Sequence, residues 1–230
     1  MDAVSLSIGH IPAMLWGPPS EQVYLFVHGK CGCKEEGAAL ADIVCPRGRQ
    51  VLSIDLPGHG YRKDEMDRFD PWHVVPELDA VLDYAHSRWP HVSLRANSIG
   101  AWFSMLSDAG KLENCLLVSP VLDMERLIRR MMGWAGVSEE QLERQQTIPT
   151  AFGETLSWPY YCYAREHPIT RWDAPTAILY AGKDDLTERG TVDDFAARFH
   201  CRLTIMEDGE HWFHTPEQLA VLDRWTAENC

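Results

Sequence analysis

Three kinds of side chain in this sequence could share the chemistry of acyl transfer: a serine set among small residues, a histidine at a loop tip, and an acid to orient it. The serine is Ser98, in Ala96-Asn97-Ser98-Ile99-Gly100. Residues 92–96 read as a strand and residues 99–110 as an amphipathic helix, so Ser98 falls on a sharp strand-to-helix turn. Small residues two before and two after let strand and helix pass closely and hold Oγ clear of its own backbone. A serine hydroxyl needs a base, and the base needs an orienting carboxylate. Ala181-Gly182-Lys183-Asp184-Asp185-Leu186 follows one predicted strand, and Glu207-Asp208-Gly209-Glu210-His211-Trp212-Phe213 follows another. Both segments lie just past the carboxyl ends of strands, where open α/β sheets place their sites. His211, directly after a Gly-Glu turn, is the candidate base. His214, three residues on, reads as a structural neighbour.

A tetrahedral intermediate would also need hydrogen-bond donors for its oxyanion. The Ile99 amide, next after the serine, is one candidate. The Lys30 amide is the other, because His28-Gly29-Lys30-Cys31-Gly32 is the loop after the first parallel strand. His28 and His59 read as structural, satisfying buried backbone groups in their turns. Cys31-Gly32-Cys33 offers at most two ligands and reads as a pair of reduced thiols. His211-x-x-His214 lacks a third metal ligand. Gly58-x-Gly60 has no third glycine and opens no helix, and no phosphate-binding loop occurs, so kinase and dehydrogenase chemistry is excluded.

The remaining elements must position these residues. Short apolar runs at 23–27, 51–54, 92–96, 116–118 and 177–180 read as strands buried on both faces. The run at 203–206 alternates, as an edge strand would. Helical patterns at 35–46, 72–88, 99–110, 188–199 and 216–228 separate them, the last with Leu219, Leu222 and Trp225 on one face. An alternating pair at 4–8 and 13–16 predicts an antiparallel hairpin. The expected fold class is α/β, a mostly parallel, twisted sheet of about eight strands with helices on both faces. The alternation stops between Pro120 and Pro175. Two helices, at 123–132 and 138–146, and an aromatic, turn-rich piece follow. That is far beyond an ordinary loop of about 4–6 residues. Residues 121–172 are therefore expected to form a small helical cap on a core of 1–120 and 173–230. Trp102, Trp158, Tyr160 and Trp212 are candidates to line a substrate pocket, or else to pack as core.

Composition narrows the function. With 21 basic and 34 acidic residues the net charge is −13, which disfavours nucleic-acid binding. The N-terminus has neither a basic nor an apolar leader pattern, no run approaches the ~20 apolar residues of a membrane span, and the seven scattered cysteines do not suggest a disulfide framework. A cytoplasmic monomer or homodimer without membrane attachment is expected.

His28-Gly29, Asp55-Leu56-Pro57-Gly58-His59-Gly60, Ala96-Asn97-Ser98-Ile99-Gly100, Gly182-Lys183-Asp184-Asp185 and Gly209-Glu210-His211 together resemble the α/β-hydrolase superfamily, in its serine-hydrolase branch of esterases, acyl hydrolases and aminopeptidase-like enzymes. Ala96 stands where that pattern usually has glycine. The resemblance spans the chain and implies Ser98 as nucleophile, His211 as base, Asp185 as acid and no cofactor, with Asp184 and Asp123 as alternative acids. It implies a small uncharged ester as substrate. Rival readings are an amidase or aminopeptidase using Glu139, Glu140 or Glu154 to hold an amine, a C–C bond hydrolase, and a non-catalytic small-molecule-binding protein on the same scaffold.

Overall fold

The computed structural model describes residues 3–230. Its strands are β1 (Ala3–Ile8), β2 (Ile11–Trp16), β3 (Gln22–Val27), β4 (Gln50–Ile54), β5 (His91–Asn97), β6 (Cys115–Val118), β7 (Thr147–Pro149), β8 (Thr155–Ser157), β9 (Thr176–Ala181) and β10 (Arg202–Met206). Its α-helices are α1 (Gly37–Val44), α2 (Pro71–Arg88), α3 (Ile99–Leu106), α4 (Met124–Ala135), α5 (Glu139–Gln145), α6 (Trp158–Glu166), α7 (Arg189–Arg198) and α8 (Pro216–Asn229). Eight strands form one sheet in the order β1-β2-β4-β3-β5-β6-β9-β10. The hairpin β1–β2 is antiparallel and joins β4 antiparallel, and every later pairing is parallel. The expected α/β architecture is the observed one.

Side chains of successive strand residues point to opposite faces, so each inner strand feeds two cores. Leu25, Leu117 and Ile178 pack with α2, α3 and α7 on one face. Tyr24, Phe26, Leu116 and Leu179 pack with α1 and α8 on the other. This is why β3, β6 and β9 read as unbroken apolar runs: neither face meets water. β10, at the edge, is only half-buried. In α8, Trp225 is buried but Leu219 is exposed, so the predicted apolar stripe is shorter than its spacing suggests.

Between β6 and β9 lie α4, α5, the antiparallel ribbon β7–β8, and α6. The ribbon and α6 stand where the sequence suggested an irregular aromatic piece after two helices. α6 begins at Ser157, whose side chain accepts from the Tyr160 N–H, with Pro159 in the first turn. The aromatic residues that follow have modest helix propensity and mask that start signal. Leu127, Ile128, Met132, Leu142, Leu156 and Tyr161 of this segment belong to the same apolar cluster as α2, α3 and α7. Among the described residues no helix is long and apolar enough to cross a membrane.

The turn after β4 is organised by a buried carboxylate. Asp55 accepts from the Lys34 N–H at 2.8 Å, the Lys34 ammonium at 2.7 Å and the Tyr61 N–H at 2.9 Å. Gly60 has φ +55 and lies so close that an added Cβ would meet the Asp55 carboxylate at 2.0 Å. A side chain there has no room. Asp55→Ala leaves the buried Lys34 ammonium with the surface carboxylate of Glu35 and the face of Tyr61 and strands two amides, and is expected to cost about 3–5 kcal/mol of stability in urea unfolding. A loss under about 1 kcal/mol would show that the turn does not depend on this carboxylate.

Candidate active site

β5 delivers Ser98 with φ 50 and ψ −123, a left-handed conformation that costs a non-glycine residue about 1–2 kcal/mol. Hydrogen bonds hold it there. The Ser98 N–H donates to Val118 O at 3.0 Å, and the Val121 and Ala101 amides both donate to Ser98 O at 3.1 Å. Space is the second requirement. A Cβ on Gly100 would lie 2.3 Å from His28 O, and one on Gly29 would lie 3.1 Å from the Ser98 Cβ. Only glycine lets α3 leave the serine across the end of β3.

Ser98 Oγ lies 2.8 Å from His211 Nε2, and His211 Nδ1 lies 2.7 Å from Asp184 Oδ2. With its proton on Nδ1, the ring donates to Asp184 and accepts from the serine hydroxyl. The Asp184 side chain is fully buried and takes two further bonds on Oδ1, from the Leu186 and Thr187 amides at 2.8 and 3.0 Å. Thr187 in turn donates from Oγ1 to Pro120 O, and the Tyr180 hydroxyl donates to Thr187 O. The loops after β9 and β10 pack back to back. Gly182 donates to Met206 O, Lys183 to Gly209 O, and a Cβ on Gly182 would fall 2.4 Å from Glu207 O.

This geometry corrects the acid. Asp185 is exposed, and the residue on His211 is Asp184. The turn after β9 closes with the Asp184 N–H on Ala181 O, which brings Asp184 inward one residue earlier than the resemblance implied. Its carboxylate then caps the following amides, and Asp185 is left facing solvent. Asp123 is elsewhere, as the N-cap of α4.

The turn carrying Lys30 closes with the Gly32 N–H on Gly29 O at 3.2 Å, and Cys31 takes φ 66 within it. The turn and loop hydrogen bonds of the described residues leave the Lys30 and Ile99 amides unused. His28 braces this loop from below. Its Nε2 accepts from the Leu56 N–H at 3.0 Å and its Nδ1 donates to Gly29 O at 2.7 Å. Burial lowers its pKa to about 4. His59 donates to Pro57 O and is likewise held down by burial, so both histidines sit in structural positions. His214 donates to Trp212 O, away from His211. All seven cysteines are free, and burial raises the Cys33 thiol. Among the described residues no cluster of three or more metal-ligating side chains occurs.

The four aromatic candidates separate. Trp102, 1% exposed, stacks on Tyr160 with ring centroids 5.8 Å apart. Trp158 instead packs on Tyr161, and Trp212 is 75% exposed. Tyr163 of α6, from the same aromatic piece, and Trp72 of α2, not singled out by the sequence, complete the Trp102–Tyr160 cluster. The Tyr160 hydroxyl is buried there without a partner. Beside Trp102 lies an open cleft of ≈ 210 Å³ with a mixed lining, in which Leu122, Phe195 and Phe199 alternate with Asp123, Arg126 and Arg198.

No family model matches the chain and no curated protein matches it. Solved structures do. Est1E from Butyrivibrio proteoclasticus, with ferulic acid bound, matches at TM-score 0.78 and 18% identity, covering 98% of this chain and 97% of that one. Alpha/beta hydrolase domain-containing protein 10 from mouse matches at TM-score 0.80 and 11% identity, over 99% and 98%. The esterase Pf2001 from Pyrococcus furiosus matches at TM-score 0.66 and 14% identity, over 99% and 89%. Strand order, helix placement and these likenesses agree that the chain has the α/β-hydrolase fold.

The buried His28 ring makes a measurable pH dependence. Unfolded, it takes up a proton near pH 6.5; folded, only near 4. The unfolded state therefore binds the extra proton, and stability falls as pH drops from about 6.5 toward 4, by about 3 kcal/mol from this group. His28→Gln should flatten the urea-unfolding stability between those pH values relative to wild type. An unchanged slope would remove His28 as its source.

Proposed function

We propose that the protein is a serine hydrolase that cleaves small uncharged carboxylic esters through an acyl-enzyme. The observation that carries this is the continuous relay Ser98 Oγ–His211–Asp184 on a strained strand-to-helix turn. His211 takes the hydroxyl proton as Ser98 attacks the carbonyl carbon, and Asp184 holds the ring in the tautomer that allows it. The oxyanion is received by the Ile99 and Lys30 amides. The protonated imidazole then gives its proton to the leaving alcohol, and water repeats the sequence to release the acid. No cofactor is required.

Two features support an ester over an amine-bearing amide. Glu139 is occupied by Arg165, Arg129 and the Tyr161 hydroxyl, and Glu154 by Lys30. Those carboxylates are neutralised by protein cations and are poorly placed to hold a substrate amine. The aromatic cluster of Trp102, Tyr160, Trp72 and Tyr163 suits an acyl group that is apolar or aryl. Two of the structural neighbours bear esterase names or an aromatic acid ligand, which points the same way. We read the segment 121–172 as a cap over the site, a reading supported by the Trp102–Tyr160 stacking and the Lys30–Glu154 pair that join it to the elements beside Ser98.

Ser98→Ala should abolish hydrolysis of p-nitrophenyl esters and remove the single fluorophosphonate adduct expected on wild type by intact-mass spectrometry. Asp184→Asn should lower kcat by about 10⁴ by favouring the wrong tautomer, whereas Asp185→Asn should stay near wild type. A wild type that folds but neither turns over esters nor takes the adduct would overturn the hydrolase reading. Equal losses in the two aspartate variants would overturn the assignment of Asp184.

A further inference from the structure

We propose that Glu154 is a positioning residue for the oxyanion site, holding the Lys30 loop from the cap. The inference rests on the reading of the Lys30 amide as an oxyanion donor. Lys30 presents two groups: its N–H is free of turn hydrogen bonds, while its ammonium pairs with both carboxylate oxygens of Glu154. The loop needs such a hold. Cys31, the next residue, is kept at φ 66, a conformation a non-glycine residue leaves readily unless its surroundings fix it. From the core side His28 fixes Gly29 O. From the solvent side the ion pair with Glu154 is the contact that ties Lys30 to another element.

Glu154 is itself firmly presented. It ends the turn between β7 and β8, where the Thr150 amide and hydroxyl both donate to Glu154 O at 2.8 and 2.7 Å. Phe152 in the same turn packs edge-on against Trp134 of α4 at 5.9 Å. The Arg130 guanidinium lies over the Trp134 ring and donates to Leu186 O, in the loop whose amides hold Asp184. The cap thus grips the oxyanion loop on one side of Ser98 and the acid loop on the other. An exposed ion pair contributes little to global stability, so its effect should appear in the transition state, where the Lys30 amide must already point at the developing charge.

The test compares Glu154→Gln, Glu154→Asp and, as a charge control on the exposed side of α5, Glu143→Gln, using wild-type-like Tm to confirm folding. Glu154→Gln should lower kcat on a p-nitrophenyl ester and the fluorophosphonate labelling rate together, by about fivefold, with KM little changed. Glu154→Asp should recover most of the loss, and Glu143→Gln should show none. Raising salt from about 50 to about 500 mM should bring wild type down toward Glu154→Gln, which should itself be insensitive. Wild-type kcat and labelling in Glu154→Gln, or an equal loss in Glu143→Gln, would overturn the proposal. A wild type that is neither active nor labelled would instead overturn the underlying hydrolase reading, and the inference with it.

Discussion

The site depends on close crossings of backbone, two of them at distances no side chain tolerates. Gly100 passes His28 O and Gly182 lies against Glu207 O, while Gly29 fits tightly against the Ser98 Cβ. Each is a junction between loops that leave different strands of one parallel sheet. Strands in such a sheet stand about 4.8 Å apart, so loops from neighbouring strands converge only if something small stands where they cross. Without Gly100 the helix after Ser98 cannot cross β3. Without Gly182 the loops after β9 and β10 spread, and Asp184 and His211 separate.

Given that convergence, the electrostatics follow from burial. Asp184 is closed to water yet accepts three hydrogen bonds, two from backbone amides and one from His211. A buried carboxylate with its lone pairs so occupied is oriented as well as satisfied, and it fixes the imidazole in turn. Ser98 sits at the end of this chain of constraints. Its unfavourable φ is maintained by three backbone bonds, so the hydroxyl stands ready without any rearrangement of the strand. His28 and Asp55 do the same work one layer below, as buried polar groups whose partners are the turns themselves.

The sheet was legible because inner parallel strands are apolar on both faces, and Leu25, Leu117 and Ile178 carry that pattern plainly. That Ser98 and His211 could meet was legible because a small-residue turn and a Gly-Glu loop tip constrain a residue's position to within one place. Which carboxylate would join His211 was not. Asp184 and Asp185 are chemically identical neighbours, and which one turns inward is decided by the turn closing on Ala181 O, a property of the fold. The aromatic cluster was legible only in part for a related reason. Aromatic residues serve equally well as lining and as core, so Trp102 and Tyr160 were found together while Trp158 and Trp212 went to other surroundings. The helix α6 announced itself through Ser157 and Pro159, but its aromatic composition resembled an irregular segment. Nothing in the sequence indicated that Lys30 and Glu154 would meet across a separation of 124 residues.

The segment between β6 and β9 shares one apolar cluster with α2, α3 and α7. It is therefore no removable module. A shortened protein with β6 spliced to β9 would keep the strand order but present Trp102 to water, along with the flank of α7. Such a miniature should aggregate or swap segments between copies before it displayed a more open cleft. For anyone wishing to widen this protein's reach toward larger molecules, the workable route is side-chain trimming within the segment, with its backbone left whole.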